Sequence, residues 1–200
     1  MTAGRLLLIL DARGDDTGLA PNLSRGMFAS AAGPGLWAQA AIFKVWCDPV
    51  KVQDRLLART GWASAHAQET ADVLRGTPMT PRLAGGDRVS ATDCVQCLVF
   101  SAPLAGREAE YDAWYSGRHL RDVLAVPGYV SAQRFAVSGA AAPAPFLALY
   151  EIAREAYEAA VAEVARRSGT ERMPIPDAVD RSRFASIHYR PASLVTVDLD

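Results

Sequence analysis

The chain lacks the charge and the long apolar runs that mark nucleic-acid and membrane partners. Its formal net charge is −1 over 200 residues and its pI is near 6.3, so no basic surface is predicted. The amino-terminal run "RLLLIL" ends at Asp11 and is too short for a signal sequence or a spanning helix. We therefore expect a cytoplasmic protein with neither nucleic acid nor membrane as a partner.

Cysteine and lysine are also scarce. Three cysteines form an odd set, which argues against a disulfide framework and fits a reducing compartment. Cys94 and Cys97 form a C-x-x-C on a predicted strand, where positions i and i+3 face opposite sides, so they are not expected to hold one metal. Only two residues are lysine; arginine in its place, with abundant alanine, is typical of GC-rich bacterial genomes.

Glycine-rich cofactor motifs are missing as well. The chain contains no G-x-G-x-x-G, no phosphate-binding loop and no G-x-S-x-G, so neither a nucleotide cofactor nor serine hydrolysis is indicated. The histidines lie far apart in no ligand spacing: His66, His119 and His188. We expect no cofactor and no metal.

The second half has a clear pattern of elements. A buried strand at "CVQCLVF" precedes a helix over 108–125 that stops at Pro127-Gly128, and a strand follows at 129–137. "FLALYEI" predicts another strand, "EAYEAAVAEVARRSG" a helix with apolar residues at i, i+3, i+4, i+7 and i+8, and "FASIHYRPASL" a last strand. This β-α-β-β-α-β order is the ferredoxin-like unit.

The first half offers a fainter copy. "RLLLILDA" matches the opening strand, but two alignments of the next segment compete: residues 33–45 with 126–138, or "AIFKVWCDPVKVQDRLL" with "ALYEIAREAYEAAVAEV". We predict an α+β chain with a degenerate ferredoxin-like unit over 1–74, a linker over 75–92 and a second unit over 93–200. A sheet covered by helices on one face needs another cover, from the other unit or from a second copy of the chain.

The stretch "EYDAWYSGRHLRDVLAVPGYVSAQRF", followed by "FLALYEI", resembles the EthD-like branch of the dimeric α+β barrel superfamily. The likeness covers roughly residues 94–192 and rests on a W-Y-x-x-x-H helix, a Pro-Gly stop and a strand with an aromatic residue and a glutamate. It implies that the sheets pair into a dimeric α+β barrel with a cavity between them. Relatives include cofactor-free monooxygenases, isomerases, polyketide cyclases and haem-using peroxidases. Arg118 stands where many relatives have an acidic residue.

The helix over 108–125 carries the candidate catalytic residues. His119 is predicted to move a proton, because its ordinary pKa near 6.5 is easily shifted across neutrality. Tyr115 and Arg118 are predicted to stabilise developing oxyanion charge. The alternatives are that Arg118 pairs with Asp122 on the surface, four residues on, and that His119 only packs.

Aromatic and polar residues on one helix face and on the strands are predicted to bind substrate. On the last strand Ser186 and His188 share a face with Phe184. The predicted substrate-binding set is Tyr111, Trp114, Phe135, Tyr150, Ser186 and His188.

Three functions arise as hypotheses. The first is a cofactor-independent enzyme, of monooxygenase, isomerase or cyclase type, that acts on a small aromatic, polyketide-like or carbonyl-bearing molecule. The second is a non-catalytic binding or assembly module whose aromatic side chains fill the space between the sheets. The third is a haem-dependent oxidoreductase. The expected partners are a small organic ligand and a second copy of the chain in a homodimer.

Overall fold

The computed structural model describes residues 5–11, 24–31, 39–45, 71–86, 89–90 and 93–196. The chain forms two compact units. The first unit comprises Met1–Pro78, Val137–Ala142 and Ile187–Asp200. The second unit comprises Met79–Ala136 and Pro143–Ser186.

The described elements are nine strands and a smaller set of helices and helical turns. In chain order, the strands are β1 (Arg5–Asp11), β2 (Ser24–Ala31), β3 (Gln39–Val45), β4 (Ala71–Pro78), β5 (Leu83–Ala84), β6 (Cys94–Ser101), β7 (Tyr129–Ser138), β8 (Phe146–Ala153) and β9 (Ala185–Thr196). The helices are α1 (Glu108–Trp114), a π-helical turn (Tyr115–His119), α2 (Leu120–Leu124), a 3₁₀ turn (Arg154–Ala156) and α3 (Tyr157–Arg167). No helix in these described ranges is long and apolar enough to cross a membrane.

The second half of the chain follows the predicted order β-α-β-β-α-β, from β6 to β9. Within the second unit β8 pairs antiparallel with both β6 and β7, and β5 pairs with β7. Helices α1, α2 and α3 supply apolar residues to one core cluster with β6, β7 and β8. The chain is therefore an α+β protein, as predicted.

The pairing within the first unit distinguishes the two alignments of the repeat. β3 pairs antiparallel with β1 and with β2, so the third strand lies between the first two, as β8 lies between β6 and β7. The strand at Gln39–Val45 is thus equivalent to β8, which supports the alignment of "AIFKVWCDPV" with "ALYEIAREAY". The helix implied by that alignment falls outside the described residues.

The structure corrects the linker predicted over 75–92. Residues 75–78 belong to β4, which pairs with β1 from Asp11↔Ala71 to Leu6↔Gly76. Its sequence "ADVLRGTP" contains glycine and proline, which are depleted in strands. Strand propensity therefore does not predict β4. β5 also lies in this segment. The second unit begins at Met79 rather than at residue 93, and β9 continues into the first unit, where it pairs with β2.

Gly128 ends the helical stretch at the predicted Pro-Gly stop. Its φ is +96°, a conformation that favours glycine, and its carbonyl accepts a hydrogen bond from the Ala153 N–H at 2.8 Å. A Cβ at this position would lie 2.8 Å from the Ala156 Cβ and 3.1 Å from the Ala160 Cβ. Gly128 therefore lets the turn pack against α3.

We expect Gly128→Ala to lower the free energy of unfolding by about 2 kcal/mol, because backbone strain and overpacking add. Gly106→Ala is the matched control, since Gly106 has φ +80° but open space around it and should lose only about 1 kcal/mol. Urea unfolding of both variants measures the difference. Equal losses would show that contact with α3 adds nothing.

Candidate functional site

A π-helical turn at Tyr115–His119 interrupts the helix that carries most of the predicted site. The Leu120 N–H donates to the carbonyl of Tyr115, five residues back. This widened register is rare and is often found at functional sites. It accompanies close ring contacts: the His119 ring stacks on Trp114 at 4.5 Å between centroids, and meets Tyr115 edge to face at 5.0 Å.

The imidazole of His119 is mostly buried against these two rings. Its Nδ1 atom is inaccessible to solvent and has no hydrogen-bond partner among the described residues. Burial lowers the pKa of His119 from 6.5 to about 4. The ring is therefore neutral near pH 7 and can accept a proton at a nitrogen.

Trp114 is held in place by its own hydrogen bond. Its indole Nε1–H donates to the carbonyl of Pro174 at 2.8 Å, in the connection between α3 and β9. This bond fixes the face on which His119 stacks. The ring of His119 is thus oriented by packing against a fixed indole.

Tyrosine hydroxyls lie beneath the helix, on the side facing the sheet. Ser101 Oγ and the Tyr111 hydroxyl are hydrogen-bonded at 2.6 Å, whereas the Tyr150 hydroxyl is buried beside that of Tyr115. Burial, and next the neighbouring tyrosine, raise the pKa of Tyr115 and the pKa of Tyr150 above the ordinary value of 10. Both phenols stay protonated and remain available as donors.

Arg134 on β7 is the largest fully buried side chain of the described residues. Its guanidinium carbon lies 4.9 Å, 4.9 Å and 4.8 Å from the ring centroids of Tyr111, Tyr115 and Phe146. Each of these distances is within the range of a cation–π interaction. The three rings thus enclose the cation between helix and sheet.

Two of the three guanidinium nitrogens are bonded. Nη2 donates to Asp112 Oδ1 at 2.6 Å and Nη1 donates to Ser116 Oγ at 2.9 Å. Nε is buried and has no partner in the part of the chain that the structure describes. Arg134 was not among the site residues predicted from the sequence; an arginine on the strand face shared with Ala132 was the available signal.

We call the group between the helices and the sheet of the second unit the aromatic layer. It consists of Tyr111, Trp114, Tyr115, His119, Arg134, Phe146 and Tyr150. Five predicted site residues are brought together here, and Arg134 and Phe146 join them. The layer lies within the second unit and not in the predicted cavity between two sheets.

The other predicted residues lie elsewhere. Arg118 is exposed, and it donates to Asp122 Oδ2 at 3.1 Å and to the Glu171 carbonyl at 2.9 Å, which is the surface pairing that the helical spacing allowed. Phe135 is buried on the sheet face opposite its neighbour Arg134. The Ser186 hydroxyl is 3.8 Å from Cys97 Sγ.

His188 belongs to the first unit and is half-buried. Burial lowers its pKa below 6.5.

The two described cysteines, Cys94 and Cys97, are buried in β6. Burial raises the pKa of Cys94 to about 11 and that of Cys97 to about 12. A thiol with such a pKa is protonated at neutral pH and is a poor nucleophile. Cysteine chemistry is therefore not indicated at this site.

No family model matches the chain, and no curated protein matches it. Solved structures do. An anthrone oxidase-like protein is 12% identical with a TM-score of 0.54, over 97% of this chain and 93% of that one. A mutant chlorite dismutase from Candidatus Nitrospira defluvii, in complex with cyanide, is 10% identical with a TM-score of 0.57, over 95% and 90%. A candidate monooxygenase from Fusobacterium nucleatum subsp. nucleatum is 7% identical with a TM-score of 0.52, over 98% and 96%.

These likenesses extend over nearly the whole length of each chain and concern the fold. They agree with the antiparallel strand pairing and with the helices that cover the sheet of the second unit. The chain therefore has the same α+β fold as these three structures.

Proposed function

We propose, from the α+β fold and the aromatic layer of the second unit, that this chain is a cofactor-independent enzyme acting on a small aromatic or polyketide-like carbonyl compound. His119 takes a proton from a carbon next to the carbonyl group. The observation that carries the proposal is the neutral, mostly buried imidazole whose Nδ1 has no partner among the described residues. The names of two structural neighbours, anthrone oxidase-like and candidate monooxygenase, are consistent with it.

The proposed step breaks one C–H bond. The proton passes to His119 Nδ1 in the tautomer that carries hydrogen on Nε2, and the bonding electron pair moves to the carbonyl oxygen to give an enolate. An isomerase returns the proton at another carbon, a cyclase uses the enolate carbon as a nucleophile, and a monooxygenase reacts the enolate with O₂. All three types share this first step.

A histidine with a pKa of about 4 is a weak base toward a carbon acid. The enolate raises the basicity of the imidazole, because an anion formed beside the ring favours its protonated form. This attraction is strong where water is excluded. The base therefore gains strength as charge develops in the transition state, which is when it accelerates the reaction.

Tyr115 and Tyr150 are assigned to the enolate oxygen. Both phenols are buried and protonated, so each is a donor in a site of low dielectric constant. Arg118 was predicted for the same role, but it is bonded to Asp122 and Glu171 at the surface. The hydroxyls of Tyr115 and Tyr150, and not Arg118, therefore donate to the enolate oxygen in this proposal.

Hydrogen–deuterium exchange tests this function. A panel of 1,3-diketones and aryl ketones in D₂O, followed by proton NMR, is expected to lose its α-proton signals faster with the wild-type protein. His119→Gln should slow the catalysed exchange by roughly 100- to 10,000-fold. Glu110→Gln, at an exposed position of α1, is the control and should exchange normally. Equal rates for wild type and His119→Gln would overturn the proposal.

A non-catalytic binding module is the second candidate. The packing of the aromatic layer favours it, because ring centroids from Tyr111 to Tyr115 and from Tyr111 to Phe146 are each 5.6 Å apart. Binding without exchange for every compound of the same panel would select this function.

The residues of the aromatic layer do not fit a haem. The rings of Trp114 and Tyr115 contact the His119 ring at centroid distances of 4.5 Å and 5.0 Å, and its Nδ1 is inaccessible to solvent. A haem would need a histidine nitrogen that faces open space several rings wide, and His119 Nδ1 is enclosed by protein. Purified protein that gains a Soret band when haem is added would contradict this interpretation.

We also propose that the chain belongs to the EthD-like branch and forms a homodimer, because the quoted helix and its Pro-Gly stop resemble that branch. The mass of the protein in solution tests the dimer. A monomeric mass at micromolar concentration would contradict it.

A further inference from the structure

Arg134 is a buried cation whose contacts leave one donor unused. Two nitrogens bind Asp112 and Ser116, three aromatic rings surround the guanidinium, and Nε has no partner among the described residues. Leaving a charged donor unbonded in the interior costs more free energy than leaving a neutral one. The Nε–H can therefore donate to an acceptor on a bound ligand.

We propose that the Arg134 Nε–H joins the Tyr150 hydroxyl, already assigned to this role, in receiving the oxyanion of a phenolate or enolate ligand, so that the site selects the ionised form of an aromatic hydroxyl or carbonyl compound. This inference deepens the proposed function and rests on it for the place of the ligand. It adds a substrate class, namely acidic phenols and enols, and a residue that sets specificity.

The strand register places the two donors on one face of the sheet. Arg134 pairs with Ala148 and Ala132 pairs with Tyr150, so Arg134 and Tyr150 are diagonal neighbours on paired strands. Diagonal neighbours on one face are about 7–8 Å apart, within reach of one another for long side chains. A single ligand oxygen held between the two is compatible with this register.

The surroundings of Arg134 favour a planar anion. Its acidic partner Asp112 is 43% exposed at the outer side, whereas its inner contacts are the faces of Tyr111, Tyr115 and Phe146. Aromatic side chains offer a flat ligand stacking surfaces. Burial keeps the neutral Tyr150 phenol as a second donor.

A purely structural role for Arg134 must be distinguished from its proposed role in binding an oxyanion. The contacts of Nη2 with Asp112 and of Nη1 with Ser116 tie the helical stretch to β7, and that tie alone would make the stability of the fold depend on Arg134. It would not make the affinity of a ligand depend on the ligand's own ionisation. The ionisation of a bound ligand is therefore the decisive readout.

The probe is 4-nitrophenol, whose absorbance reports its own ionisation and which has no acidic carbon. The wild-type protein is expected to bind the phenolate at least about tenfold more tightly than the phenol, which lowers the pKa of the bound ligand by about one unit. Arg134→Lys keeps the charge but removes the Nε–H, and should reduce this preference to less than about threefold. Arg166→Lys, at an exposed ion pair on α3, is the matched control and should behave as wild type.

Two further measurements test the same inference if the Arg134→Lys variant does not fold. Tyr150→Phe should weaken phenolate binding while leaving phenol binding nearly unchanged. In the wild type, 4-nitroanisole, which has the same ring without an ionisable hydroxyl, should bind at least about tenfold more weakly than the phenolate. Equal binding of the phenol and the phenolate by the wild type, or no binding of either, overturns the inference.

The outcome is distinguishable from that of the proposed function. If deuterium exchange depends on His119 but the phenolate preference is absent, the proposed enzymatic function is supported and the proposed oxyanion site is contradicted. If the phenolate preference depends on Arg134 but no compound of the exchange panel reacts, the oxyanion site is supported and the protein is a binding module.

Discussion

Asp112→Asn is expected to lower the free energy of unfolding by about 3 kcal/mol. Its carboxylate is 2.6 Å from the Nη2 of Arg134, whose side chain is only 1% exposed. Removing the acid leaves the buried guanidinium without a counterion, and an uncompensated buried charge is strongly destabilising. We place the loss at the lower end of the usual range, because Asp112 is 43% exposed and water screens charge at such a position. Urea unfolding at constant pH measures it.

The matched control lies on the same helix. Glu110 pairs with Arg107, and both side chains are nearly half exposed, at 46% and 44%, so Glu110→Gln should cost less than about 1 kcal/mol. Arg134→Met combined with Asp112→Asn should recover part of the loss, since no charge is then left unpaired. If the two single acid-to-amide changes cost the same, the burial of Arg134 is of no energetic consequence.

Much of the second unit could be predicted from the sequence because its elements have regular periods. Apolar spacing placed α3, and the Pro127-Gly128 stop ended the helical stretch where the structure ends it. The pairing of Arg118 with Asp122 was among the alternatives because residues four apart on a helix are neighbours. Local rules suffice when both the cause and the effect lie within a few residues.

The aromatic layer could not be predicted from those rules. A regular α-helix turns about 100° per residue, and the π-helical turn changes that angle within Tyr115–His119. Period-two alternation places Arg134 on the face of Ala132, but it does not say that three rings and Asp112 cover that face. Such partners come from distant parts of the chain, and no local pattern encodes their meeting.

The first unit shows the opposite failure, in which a local signal misled. Glycine and proline in "RGTP" are turn residues by propensity, yet Gly76 is paired with Leu6 in a regular ladder. Both residues lie in the last three positions of β4, near its carboxyl end.

Stability is expected to fall as the pH falls from 6.5 toward about 4, by about 3 kcal/mol through His119 alone. Burial lowers the folded-state pKa of this imidazole, so protons bind preferentially to the unfolded chain, where the pKa is near 6.5. The contribution is therefore complete above pH 6.5, is lost through this window, and changes no further below about pH 4. Urea unfolding of wild type and of His119→Gln across the window isolates this contribution as the difference between the two curves.

The comparison with His119→Gln is needed because His188 also has a pKa lowered by burial and adds a loss of the same sign. Subtracting the variant removes the His188 contribution, since the two histidines lie in different units and His188 is unchanged in both proteins. Proton NMR of the His119 ring gives an independent check, with a midpoint expected at about 4. A His119 resonance that titrates near 6.5 would mean that the imidazole is open to water. The neutral, buried base on which the proposed proton transfer depends would then not exist.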